Sequence, residues 1–160
     1  AGADKITVNS AAVARPELVS EIASKYGSQF IVAAIDAKLT YDGIWHVTTH
    51  GGTRFTPREL MEWARELQER GAGEIMFTSM NHDGTRSGYP CDVFASLADT
   101  LSIPIIASGG AGGTDDIAEV LSAGKADAAL AASIFHYGEI TITELKRRLA
   151  ATGLPMRINQ

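Results

Sequence analysis

Four stretches of this sequence carry residue types whose spacing suits chemistry. In Ile105-Ile106-Ala107-Ser108-Gly109-Gly110-Ala111-Gly112-Gly113-Thr114, an apolar run enters a glycine-rich turn and leaves it at a helix-capping threonine. Glycines let backbone approach an anion closely, and free N–H groups at a helix start attract it, so Ser108, Gly109 and Gly110 are candidate phosphate ligands. The turn is no dinucleotide fingerprint, because Asp115 stands where the third glycine belongs, and no Gly-Lys-Ser/Thr follows to make a nucleotide P-loop. A strand-to-helix turn that needs glycine for geometry alone is the competing reading. Leu130-Ala131-Ala132-Ser133-Ile134-Phe135 closes the last strand candidate, so Ala132 and Ser133 can complete the same anion site. Asp36 follows the apolar run Phe30–Ile35 directly, where a carboxylate can act as general acid or base, or can simply start a loop or pair with Lys38. The polar stretch Thr78-Ser79-Met80-Asn81-His82-Asp83-Gly84-Thr85-Arg86-Ser87-Gly88 is long for a connection. It offers Asp83 as a second acid–base candidate, Gly84 as a backbone donor and Thr78 as a further substrate contact; for His82 and Arg86 a solvated loop is a fair competing reading.

Positioning these groups requires strands, and the strands are short continuous apolar runs: Lys5–Val8, Phe30–Ile35, Glu74–Thr78, Pro104–Ser108 and Asp127–Ala131. Such runs suit a parallel sheet buried on both faces. Amphipathic helices alternate with them. Pro16 opens one at its first position, with Leu18, Ile22 and Tyr26 on one stripe and Gly27 as its stop. Thr56-Pro57-Arg58-Glu59 reads as a capping box ahead of Leu60, Trp63, Ala64 and Leu67, and Thr114 and Thr141 read as further caps. A weaker helix spans Val93–Leu101. Between Ala37 and Phe55, Tyr41-Asp42-Gly43-Ile44 reads as a hairpin turn with Trp45-His46-Val47-Thr48 returning.

This β/α alternation implies right-handed crossovers and a parallel sheet, either doubly wound or a barrel. A short internal repeat favours the barrel. Ala3–Ser10 aligns with Ala126–Ser133, each following a glycine and each ending in a small polar residue, which makes Asn9 and Ser10 the counterpart of Ala132 and Ser133. A substrate with a phosphate at each end would use both. The expectation is one α/β domain over residues 1–160, a partial (β/α)8 barrel of five β/α units. A full barrel needs eight strands and about 250 residues, so three units or so are expected to be missing from the front.

Composition bounds the function. At 45% hydrophobic and 21% charged residues the chain is an ordinary globular one, and no apolar run reaches the roughly 20 residues that span a bilayer. A net charge of −5 disfavours nucleic acid, but leaves room for a phosphorylated small molecule held by amides. Cys91 is the lone cysteine, so a reducing cytoplasm is the simplest home. The histidines lack metal-ligand spacing, and no Ser/His/Asp order is evident; neither metal, cofactor nor nucleophilic catalysis is predicted.

The segments Gly2–Ile6, Val32–Asp36, Gly71–Ile75, Asp83–Tyr89, Ile105–Gly112 and Ala131–His136, in order and at matching spacing, closely resemble the cyclase subunits of imidazole glycerol phosphate synthase. The resemblance implies a histidine-biosynthetic cyclase that takes ammonia from a glutaminase partner. Its substrate would be a ribulosyl aminoimidazole carboxamide nucleotide with two phosphates, converted to imidazole glycerol phosphate and aminoimidazole carboxamide ribonucleotide. Asp36 matches one of two essential aspartates and Asp83 a supporting carboxylate. Gly84, Gly110, Ala132 and Ser133 match one phosphate site, with Ser108 close by, and Asn9 and Ser10 match part of the other. Lys5 and Glu74 match part of a charged gate for ammonia. The other essential aspartate belongs to a strand this sequence lacks, so little turnover is expected of the chain alone, and self-association or pairing with the missing portion is expected. The alternatives are the sister isomerase of the same pathway, or a half-barrel that binds phosphate without reacting.

Overall fold

The computed structural model describes residues 2–158. Strand β1 (Ile6–Val8) leads through α1 (Ser10–Ala14), α2 (Glu17–Tyr26) and a 3-10 turn at Ser28–Phe30 to β2 (Ile31–Leu39). A hairpin of β3 (Trp45–Thr49) and β4 (Arg54–Glu59) precedes α3 (Leu60–Glu69). The alternation continues with β5 (Glu74–Ser79), α4 (Cys91–Thr100), β6 (Ile105–Ser108), α5 (Thr114–Ser122) and β7 (Ala128–Ala129), ending in α6 (Ser133–His136) and α7 (Ile142–Ala151).

All strands join one seven-stranded sheet. β1, β2, β5, β6 and β7 run parallel, in that spatial order, which gives the five β/α units expected. β2 is long enough to take two neighbours on one edge. Its first residues pair with β1 (Ile6 opposite Ile31), and its last pair antiparallel with β3 (Asp36 opposite Thr48). β1 and β7 each have one neighbour, so the sheet is an unclosed stretch of a parallel β/α barrel.

The two faces of the sheet differ as a barrel requires. Ile31, Ala33, Ile35, Ala37, Ile75, Phe77, Ile105 and Ala107 are at most 1% exposed on the helix side. Phe77 sits between Trp45 and Phe94, with ring centroids 5.4 and 5.0 Å away. The alternate residues, Val32, Ala34 and Asp36 on β2, Glu74, Met76 and Thr78 on β5, and Ile106 and Ser108 on β6, share the inner face.

Several local expectations are corrected. β2 runs on to Leu39, so Asp36 lies within a strand rather than just past one. Thr56 caps no helix. It belongs to β4, where its hydroxyl donates to the Val47 carbonyl, and the edge position tolerates Pro57. The helix that follows starts at Leu60, with Glu59 at the cap. Pro16 occupies the cap of α2 instead of its first turn, and Val19 is that helix's buried residue while Tyr26 is 52% exposed. Thr114 is the first residue of α5, not its cap. Thr141 does cap α7, accepting from the Glu144 N–H at 3.2 Å.

Candidate active site

Strand register assembles part of the site. Asp36 on β2 is the register partner of Thr78 on β5, and Thr78 is the partner of Ser108 on β6. Partners in a parallel ladder project to the same face, so the three form a transverse row on the inner face, level with the C-terminal ends of β5 and β6. Lys5 and Glu74 form an ion pair at the other end of the same face, four residues down β5 from Thr78, or about 13 Å at the usual strand rise.

Beyond the row, the loops enclose a cavity of about 100 Å³ lined by Asp83, Gly84, Arg86, Ser108, Gly109, Gly110, Ala111, Leu130, Ala131, Ala132 and Ser133. Every residue assigned from sequence to the first phosphate site is in this lining. The loop after β6 is sealed against the loop after β5 by contacts that only glycine allows. A Cβ at Gly109 would stand 2.6 Å from the Ser79 carbonyl oxygen, one at Gly110 2.1 Å from that of Gly88, and one at Gly112 2.4 Å from that of Arg86. The Gly88 N–H donates to the Gly110 carbonyl across this seam at 2.9 Å. His82 anchors the first loop by bonding Ser79 Oγ at 2.7 Å, and the N–H groups of His82 and Asp83 both donate to the Ser79 carbonyl. The end of that loop is tied to β7 by Tyr89, whose hydroxyl donates to the Leu130 carbonyl at 2.8 Å.

The helix-start amides are not free as the sequence suggests. Asp116 Oδ2 accepts from Gly112 N at 2.7 Å and from Gly113 N at 3.0 Å, so these donors are already used within α5. The N–H groups of Gly84, Gly110 and Ala111 meet no acceptor among the described residues and remain available to an anion. Arg86, Ala111, Leu130 and Ala131 join the lining without having been assigned to it. For Arg86 the sequence signal was present, a cation in a loop after a strand, but a solvated loop explained it equally well.

Asp36 lies outside the cavity lining. Partial burial raises its pKa above the ordinary 3.8, the Asn9 side chain pulls it down, and the negative charge of Asp83 raises it further. Asn9, just after β1, and Asp83, in the loop after β5, thus each lie close enough to influence Asp36 on β2. Asn9 Oδ1 is buried without a hydrogen-bond partner, an acceptor that needs a donor to be satisfied. Ser10 is exposed at the start of α1. The internal repeat has a structural counterpart: Asn9 precedes short helix α1 after β1 as Ala132 precedes short helix α6 after β7. The Asn9–Ser10 pair lies on the β1 side of β2 and does not share the cavity of Ala132 and Ser133.

Comparison with known proteins places this geometry in context. The family model described as "Histidine biosynthesis protein" matches residues 1–141. The chain is 55% identical over 157 residues to the imidazole glycerol phosphate synthase subunit HisF of Bacteroides thetaiotaomicron, and 54% identical over the same length to its namesake in Bacteroides fragilis. Each match covers 98% of this chain but 62% of the relative, so the chain spans less than two thirds of the length of those proteins. Over most of its length, by sequence as well as by its β/α architecture, the chain belongs to the histidine biosynthesis protein family.

Proposed function

We propose that this chain supplies one phosphate site and one acid–base carboxylate to an imidazole glycerol phosphate synthase cyclase. The observation that carries the reading is the cavity in which Gly84, Ser108, Gly109, Gly110, Ala132 and Ser133 meet beside Asp83, next to the row that holds Asp36. Unpaired amides and a serine hydroxyl suit a phosphate monoester at one end of a two-phosphate nucleotide. Asn9 and Ser10 would contribute to the site for the other phosphate. A carboxylate whose burial holds its pKa above normal is suited to passing a proton during ammonia addition and ring closure, and Asp36 takes that role with Asp83 in support. Ammonia released by a glutaminase subunit would enter from the opposite end of the inner face, past Lys5 and Glu74.

The open sheet limits the chain on its own. Among the described residues the sheet does not close, so no further strand faces Asp36 across a barrel and the inner face stays open. Turnover therefore requires the remainder of the barrel. The test is to co-express the chain with the N-terminal portion of a HisF relative and assay ammonia-dependent cyclase activity. Expected are turnover by the mixture, none by the chain alone, and a loss of at least about 100-fold with Asp36→Asn. Robust turnover by the chain alone, or a reconstituted enzyme indifferent to Asp36→Asn, overturns the reading. Phosphate binding without turnover in the mixture selects a non-catalytic half-barrel instead.

A further inference from the structure

Among the residues lining the phosphate cavity Arg86 is the only cation, and its guanidinium is already engaged. One nitrogen pairs with the Glu139 carboxylate and also donates to the Gly112 carbonyl at 3.3 Å. Arg86 belongs to the loop after β5, whereas Glu139 lies just beyond α6, which begins at the cavity-lining Ser133. The pair therefore ties together two separate walls of the cavity. Arg86 also holds its backbone in the left-handed region, at φ 60°, where non-glycine residues are uncommon. Its carbonyl oxygen is the atom that a Cβ at Gly112 would meet, so the seam between the loops holds that backbone in place.

We propose that Arg86 and Glu139 form an exchangeable latch, in which a phosphate dianion takes the Arg86 guanidinium from Glu139 as it binds. The proposal rests on the phosphate reading of this cavity and goes beyond it by assigning the ligand that changes partner. The exchange is chemically favoured. A guanidinium presents a planar fork that matches phosphate oxygens in pairs, and a dianion offers it more charge than one carboxylate. The latch also has a strength suited to switching. Both side chains are about two-fifths exposed, at 41% and 40%, and such an ion pair holds weakly against water. A buried pair would not let go. Release has a further effect, because it frees Glu139 and the segment after α6 from the loop after β5. Asp83 supplies the reason for a cation here, since this acidic residue lines the same cavity and its charge opposes a dianion unless a positive charge offsets it.

A double-mutant cycle decides the matter. The full chain, Glu139→Gln, Arg86→Ala and the double variant are titrated with inorganic phosphate, with binding read from the amide resonances of Gly84, Gly110 and Ser133 and folding from thermal melts. Releasing an exposed ion pair predicts about two- to fivefold tighter binding by Glu139→Gln. Arg86→Ala is expected to bind more weakly than the wild type, and adding Glu139→Gln to it should restore nothing. Equal tightening in the Arg86→Ala background would show a general charge effect and overturn the latch. So would binding by the wild type that Glu139→Gln leaves unchanged. Failure of the wild type to bind phosphate at all would overturn the phosphate site itself, and the latch with it.

Discussion

Gly110→Ala tests whether the seam between the two loops holds the cavity together. Two costs follow from its position. At φ 122° an alanine is in a region that L residues avoid, at a cost of about 1–2 kcal/mol. Its Cβ would also lie 2.1 Å from the Gly88 carbonyl oxygen and 2.7 Å from the carbonyl carbon, both backbone atoms that cannot swing aside. Relief requires the loops to part, which breaks the bond from Gly88 N to Gly110 O and loses about 0.5–1.5 kcal/mol more. The sum is about 1.5–3.5 kcal/mol, taken from global stability or from closure of the cavity. Two controls separate conformational strain from collision. Gly84→Ala has positive φ but nothing within 4 Å, so it should lose about 1 kcal/mol. Gly113→Ala has neither obstacle and should lose only the modest preference for glycine over alanine at the N-cap of α5, about 0.5 kcal/mol. Urea denaturation of all three variants with a parallel phosphate titration gives the ranking, and Gly110→Ala should also weaken phosphate binding. If it proves as stable as Gly113→Ala and binds phosphate equally well, the seam has no role in forming the site.

Further expectations follow from single contacts. The folded chain holds the Asp36 proton more tightly than the unfolded chain does, so the charged carboxylate is a penalty that appears as pH rises past 3.8. Asp36→Asn should therefore raise the denaturation midpoint near neutral pH, and the gain should vanish below 3.8; a gain that persists in acid would refute the assignment. Asp83→Asn should bring the Asp36 titration closer to normal, as followed by carboxyl carbon shifts. Tyr89→Phe removes the bond to the Leu130 carbonyl and should lose about 0.5–1.5 kcal/mol in urea melts, more than a solvated tyrosine would. Phe77→Ala, in a fully buried aromatic cluster, should lose about 3–5 kcal/mol by the same measurement.

What the sequence revealed depended on how local the signal was. The five parallel strands were legible because each is a short apolar run between helices with clear stops such as Gly27 and Gly71. Strand β4 was not, because Thr56-Pro57-Arg58-Glu59 carries a capping-box pattern and the pairing that overrides it, Thr56 to Val47, spans nine residues. The length of β2 was hidden for the same reason. Lys38 and Leu39 are strand only because β3 returns against them, and Asp36 is held within the strand by pairing with both β3 and β5. The residues proposed for phosphate were readable singly, most of them from glycines after strands. Their grouping came from the family resemblance rather than from any local signal, since nothing local records that Gly84 and Ser133, from different loops, line one cavity.

Tight geometry and open amides, the two readings of a glycine-rich turn, are compatible here. Gly109, Gly110 and Gly112 each lack a side chain at a point where backbone of the preceding loop closes in to within 2.1–2.6 Å of where a Cβ would be. That closure brings Asp83 and Gly84 up to Ser108 and Gly110. The same approach leaves no side chain to cover the amides of Gly110 and Ala111, so the packing requirement and the open donors have one cause. Asp116 then sets the limits of the site by taking the amides of Gly112 and Gly113 for α5. The donors left for the proposed anion site are those at the seam itself, so any substitution that opens the seam should weaken phosphate binding in proportion to the distance it forces between Gly88 and Gly110.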